Sequence, residues 1–225
     1  MLPDLPLSIS ILFILTTAIA VWLFYRATNY NRSVLAVLAA WAALQMVVAF
    51  TGFYRRTNTI PPRLALLIGP PLLFIIGLFV TKRGRQFIDS LRLDQLTVLH
   101  FIRINVEIIL FMLFISKAIP EVMTFEGRNF DILAGLTAPL VYYLAFVRRQ
   151  LSQRALLFWN LLCLGLLTNI VVTALLSAPT PFQRLAFDQP NIAIQYFPFV
   201  WLPSVVVPIV LFSHLTAIRR LSTAQ

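Results

Sequence analysis

Charge is scarce in this sequence. Of 225 residues only 12% are charged and 60% are hydrophobic, with a mean hydropathy of +0.86. Soluble domains carry roughly 25% charged residues and 45 to 50% apolar ones, so a chain with half the usual charge lacks the polar surface to face water. A water-soluble domain is thereby excluded. The single cysteine, Cys163, lies inside an apolar run, which rules out an intrachain disulfide and any cysteine-rich metal site. Acidic residues are also few, 8 against 18 Lys and Arg, for a net charge of +10. In a soluble protein that excess would point to nucleic acid. In a membrane protein it is the ordinary loading of cytoplasmic loops, so no nucleic-acid partner is expected.

What the sequence does have is long apolar runs. Charge, Pro or Asn divides them into seven candidate spans, 5–25, 33–53, 64–81, 96–116, 131–147, 155–177 and 199–217. Backbone polar groups find no water in hydrocarbon, and these runs lack the alternation of barrel strands, so the spans read as helices. The expected fold class is all-α integral membrane: one domain over 1–225, a bundle of seven transmembrane helices. The fifth span, short and containing Pro139, is the weakest of the seven.

The basic residues orient the bundle. One set of connections holds Arg26, Arg32, Lys82, Arg83, Arg85, Arg92, Arg148, Arg149, Arg154, Arg219 and Arg220; the other holds Arg55, Arg56, Arg63, Lys117, Arg128 and Arg184. Eleven against six places the N-terminus outside and the C-terminus in the cytoplasm, in a plasma (inner) membrane. The first residues, Met1 to Asp4, carry no basic group, and the apolar run after them is too long for the core of a signal peptide, so the first span is expected to stay. Residues 82–95 read as an interfacial or cytoplasmic helix, with Arg85, Asp89 and Arg92 spaced for ion pairs. Residues 178–198, with four prolines around apolar pieces, read as an interfacial cap or a cover over an outer opening.

The fourth span carries the unusual chemistry, His100-Phe-Ile-Arg103-Ile-Asn105-Val-Glu107. At about 100° per residue His100, Arg103 and Glu107 form one stripe, and Glu107 falls near the middle of the span. A charge there costs roughly 2.5 to 3.5 kcal/mol on insertion scales, so Arg103 and Glu107 are expected to pair and face the bundle interior. His100, Arg103, Asn105 and Glu107 are the candidate ligand or proton-relay residues. The bland alternative is an internal ion pair that glues this helix to Gln45, Asn160 or Asn169. His100 and His214 share a depth and form the one pair that could hold haem or another metal; no resident cofactor is otherwise expected. The connection 120–131 gathers Glu121, Glu126, Arg128 and Asp131, read as an outer mouth, or simply as a turn in which Asp131 caps the next helix and Gly127 takes a positive φ.

Known seven-helix families do not fit. A retinal Schiff base needs a lysine in the last helix, and the only lysines are Lys82 and Lys117. The multi-histidine zinc hydrolases, the Gly-x-Ser-Gly intramembrane proteases and the Pro-Gln sugar transporters all lack their signatures here. The leading expectation is a protein that binds or translocates a small solute, ion or proton at a midplane site. The alternative is a non-catalytic sensor or assembly subunit that meets a second copy or another membrane protein. A third is an enzyme acting on lipid or quinone, for which the chain shows no evident nucleophile or metal cage, so no catalytic residue is assigned.

Overall fold

The computed structural model describes Leu2 and residues 5–223. Met1, Pro3 and Asp4, on which part of the N-terminal reading rests, lie outside the described residues, as do the last two. The described chain is helical throughout, without a strand. Its helices are α1 (Leu7–Ala27), α2 (Arg32–Phe50), α3 (Ala65–Val80), α4 (Lys82–Ser90), α5 (Leu93–Leu99), α6 (Ile102–Ile115), α7 (Ile132–Tyr142), α8 (Gln153–Ser177) and α9 (Val207–Thr223). A π turn, Tyr143–Val147, continues α7, and another, Leu202–Val206, leads into α9.

Five helical stretches are long and apolar enough to cross a membrane: α1, α2, α5 with α6, α8, and the 202–223 unit; α3, bent by 94° into α4, makes a sixth if that pair counts as one. The faces of α1 show why they need an apolar solvent. Phe13, Ala20, Phe24 and Ala27 turn inward, while Leu7, Ile11, Leu15 and Ile19 stand exposed on the other side. A helix that is apolar all round is compatible with a membrane helical protein and not with a water-facing one.

Local signals set the boundaries. Asn31, Thr81 and Ser152 accept backbone N–H groups from the first turns of α2, α4 and α8. The sharp α3–α4 corner needs Gly84, because a Cβ there would run into the backbone of Leu78. The ion pairs expected among Arg85, Asp89 and Arg92 do not form. Arg85 donates to the carbonyls of Phe79 and Val80, which closes the end of α3, Asp89 pairs with Arg219 at 3.5 Å, and Arg92 pairs with its neighbour Asp94. Residues 191–200 are largely buried, and the amides of Ile192 and Ala193 donate to Ala118, so this segment covers one end of the bundle.

The core lies between α1, α5, α6 and α9, around Phe13, Phe24, Leu99, Ile109 and Phe212. The expected fourth span is not one smooth helix. It breaks at His100–Phe101, where amides bond three residues back instead of four, as Phe101 to Val98 and Arg103 to His100.

Candidate functional site

The polar residues meet because the chain after α6 turns back into the bundle. Asn129 reaches Glu107, eight residues from the end of α6, or about 12 Å along its axis at 1.5 Å per residue. Asp131 reaches Arg103, about 18 Å down the same helix. α7 therefore starts deep beside α6, and the stretch before it is irregular backbone. Gly135 permits this: a Cβ there would lie 2.8 Å from Ile104 Cγ1 and 2.9 Å from the Ile104 nitrogen, so α7 packs on the α6 backbone one turn beyond Asp131. Gly127 does not take the positive φ expected of it; among the described glycines only Gly52 does.

Arg103 is the hub, and its partner is not the one its helix offers. The expected Arg103–Glu107 pair is replaced by a two-pronged pair with Asp131, Nε donating to Oδ2 at 2.6 Å and Nη2 to Oδ1. The physical reason is geometry: a guanidinium fork matches a carboxylate approached head-on from a neighbouring helix better than one a turn away on its own helix. Nη1 meets His214 Nε2 at 3.0 Å, and Nη2 also lies 3.4 Å from the Cys163 carbonyl. Asp131 does not cap α7 with its side chain; its carboxylate serves Arg103 at the positive end of that helix. Its amide donates to Asn129 Oδ1 at 3.0 Å, which fixes how the Asn129 amide is turned.

Glu107 is left without a cation in hydrogen-bond reach. It is 1% exposed, and its hydrogen-bond partner is Asn129 Nδ2, 2.6 and 2.7 Å from its two oxygens. The same nitrogen also donates toward Met123 O at 3.0 Å, so three acceptors compete for two hydrogens. Glu107 and Asp131 border a cavity of about 80 Å³ whose other walls include Met123, Leu167, Ile194 and Val207. Its remaining walls are apolar, and the space is too small for a sugar or a nucleotide.

The two histidines do come together, though not as a ligand pair. Their rings stack at 3.8 Å with planes 10° apart. His214 Nδ1 faces Asn160 Oδ1 at 2.9 Å, and Asn160 Nδ2 donates to Leu156, so Nδ1 carries the hydrogen and Nε2 accepts from Arg103. With both His214 nitrogens engaged and the rings face to face, neither a haem nor a shared metal fits between them. Nδ1 of His100 is buried without a partner, and Trp159 packs edge-on to the ring.

The remaining candidates separate. Asn105, about 200° round the helix from Arg103, is half-buried and takes no part in the network. Glu121, Glu126 and Arg128 are exposed, while Asp131, expected beside them at a mouth, is buried with Arg103. The Arg128 carbonyl accepts from Asn169 Nδ2 at 2.9 Å, which ties the irregular segment to α8. Asn129 is the network residue that composition hid, since an asparagine in a charged connection reads as a turn former.

The network from His100 to His214 lies wholly within residues 60–222, which match a family described as a domain of unknown function, DUF8737. The chain belongs to that family. No curated protein and no solved structure matches it. The DUF8737 region thus contains every charged group of the interior, while α1 and α2 precede it. Chemically, this region holds one buried carboxyl outside any ion pair among the described residues, Glu107, beside a bonded set of Arg103, Asp131, His214 and Asn160.

Proposed function

We propose that the protein is a seven-span membrane protein, N-terminus outside and C-terminus cytoplasmic, that takes up and releases a proton at Glu107 while moving a small ion or solute. α3 bent into α4 supplies the third span. α7 with its irregular approach supplies the fifth, half helix and half loop. Non-helical backbone at membrane depth is tolerated only where protein or a cavity satisfies it, and such broken spans mark binding sites in transporters. The observation that carries the reading is Glu107 itself, a buried carboxyl held by one amide beside a small cavity while the neighbouring arginine is committed elsewhere. A residue serving only as glue would sit in the ion pair.

The test is proton flux into liposomes containing the purified protein, read with an internal pH dye under an imposed potential. Wild type should acidify the lumen, and Glu107→Gln, which keeps shape but cannot exchange a proton, should reduce the rate to that of empty liposomes while melting near wild type. Equal flux in Glu107→Gln and wild type, or none in either, would remove the proposal.

A further inference from the structure

A second cavity, larger than the one beside Glu107, has no part in the polar network. It measures about 500 Å³ and lies between α2 and α3, with α9 behind it. That volume is in the range of roughly 300 to 1,000 Å³ typical of ligand sites. Leu38, Trp41, Ile75, Leu78, Ile209 and Phe212 are among its walls. Apart from the exposed Ser33 hydroxyl at the rim, the few polar groups there are already used. Trp41 Nε1 donates to Ser204 O at 2.9 Å, a carbonyl that Pro208, four residues on, has no N–H to serve. Ser204 Oγ donates to Val200 O, and the Ser33 amide is held by Asn31. A space this size with one free hydroxyl, at its rim, and otherwise apolar walls is filled by hydrocarbon and not by water or a polar solute.

One end of the cavity has a charge. Ser33, at the start of α2, and Phe87, on α4, both line it; Arg32 adjoins Ser33 in the chain, and Lys82 and Arg83 open α4, Arg83 one helical turn before Phe87. Arg32, Lys82 and Arg83 are exposed, and none of them is in an ion pair among the described residues. The one acidic residue of α4, Asp89, pairs with Arg219. An apolar slot ending in uncompensated positive charge matches an amphiphile with a single negative headgroup.

We infer that this cavity binds an anionic phospholipid of the bilayer, one acyl chain lying between α2 and α3 and the headgroup phosphate at Arg32 and Lys82. Burial of the chain supplies non-selective affinity, and the basic mouth selects the anionic headgroup.

Trp41 is a built-in reporter of the slot. In nanodiscs of phosphatidylcholine, its fluorescence, taken as the difference between wild type and Trp41→Phe, should be quenched by phosphatidylglycerol brominated on its acyl chains. Half-quenching should need about 25-fold less of it than of brominated phosphatidylcholine, each of the two basic residues being worth roughly fivefold. Arg32→Gln with Lys82→Gln, both surface changes, should abolish the difference. Native mass spectrometry of the wild type checks the same point without a variant, and should show phosphatidylglycerol retained in preference to phosphatidylcholine. Equal quenching and equal retention of the two lipids would overturn the anionic site. Absence of Trp41 quenching by either would show that no chain enters.

Discussion

Arg103 on α6 has a partner for each of its three guanidinium nitrogens, whereas α2, 19 residues long, buries only Gln45 and Ala49. These two regions of one small bundle are held by different forces. Around Arg103, charges removed from water must be enclosed and paired, so α6, α7, α8 and α9 are drawn together by directional bonds. On the α2–α3 flank nearly every side chain beyond the first turn of α2 is apolar, Gln45 being the exception, and an apolar side chain gains little by leaving lipid for protein. What holds α2 is a short set of hydrogen bonds: Trp41 to Ser204, Trp201 to Ala42, and Tyr54 to Gln45. The lesson is that in such a chain hydropathy locates the helices, but polar residues decide which of them are fastened.

The contrast can be broken at several points. The largest effect should follow Asp131→Ala, which strands Arg103 in the interior and should cost about 3 to 5 kcal/mol, whereas Leu44→Ala on the exposed face of α2 should leave the detergent melting curve nearly unchanged. Next in size, Gly135→Ala should cost about 1 to 3 kcal/mol by forcing α7 off α6. Gly69→Ala on α3, with nothing within 4 Å of the new methyl, should be neutral or slightly stabilising in the same melts. Smaller again, Trp41→Phe should lose about 0.6 kcal/mol, the average for an interhelical hydrogen bond. Amide exchange in α2 should quicken while α6 keeps its protection.

The smallest effect at neutral pH concerns Tyr54, whose phenol burial pushes up to about 12. Because the folded value lies above the ordinary one near 10, its stabilisation is complete below about pH 10 and is lost as pH rises toward 12. Wild type should therefore lose melting temperature faster than Tyr54→Phe over that window, and parallel curves would show the phenol is not buried in solution.

The long apolar helices were legible in the sequence because hydropathy and chain length fix them, and α1, α2 and α8 begin and end within three residues of the expected limits. The stripe of His100, Arg103 and Glu107 was legible from helical periodicity. Its pairing was not. Arg103 and Asp131 are 28 positions apart, and they meet only because residues 117–131 fold back along α6, a path that no periodic pattern encodes. The stacked histidines were visible as two imidazoles at one depth, but the lateral distance between α5 and α9 is a property of packing. The lateral cavity left no trace either, since a residue facing a cavity and a residue facing lipid are equally apolar.

The central claim is that Arg103 is locked to Asp131 and that Glu107 is left unpaired. Double-mutant cycles in detergent melts test it directly, Arg103→Met with Asp131→Leu against Arg103→Met with Glu107→Gln. A coupling of several kcal/mol is expected in the first cycle and a clearly smaller one in the second, where two groups one helical turn apart share no direct hydrogen bond. A second cycle with the larger coupling would contradict the account, because Glu107 would then be the partner of Arg103 and no longer a free carboxyl.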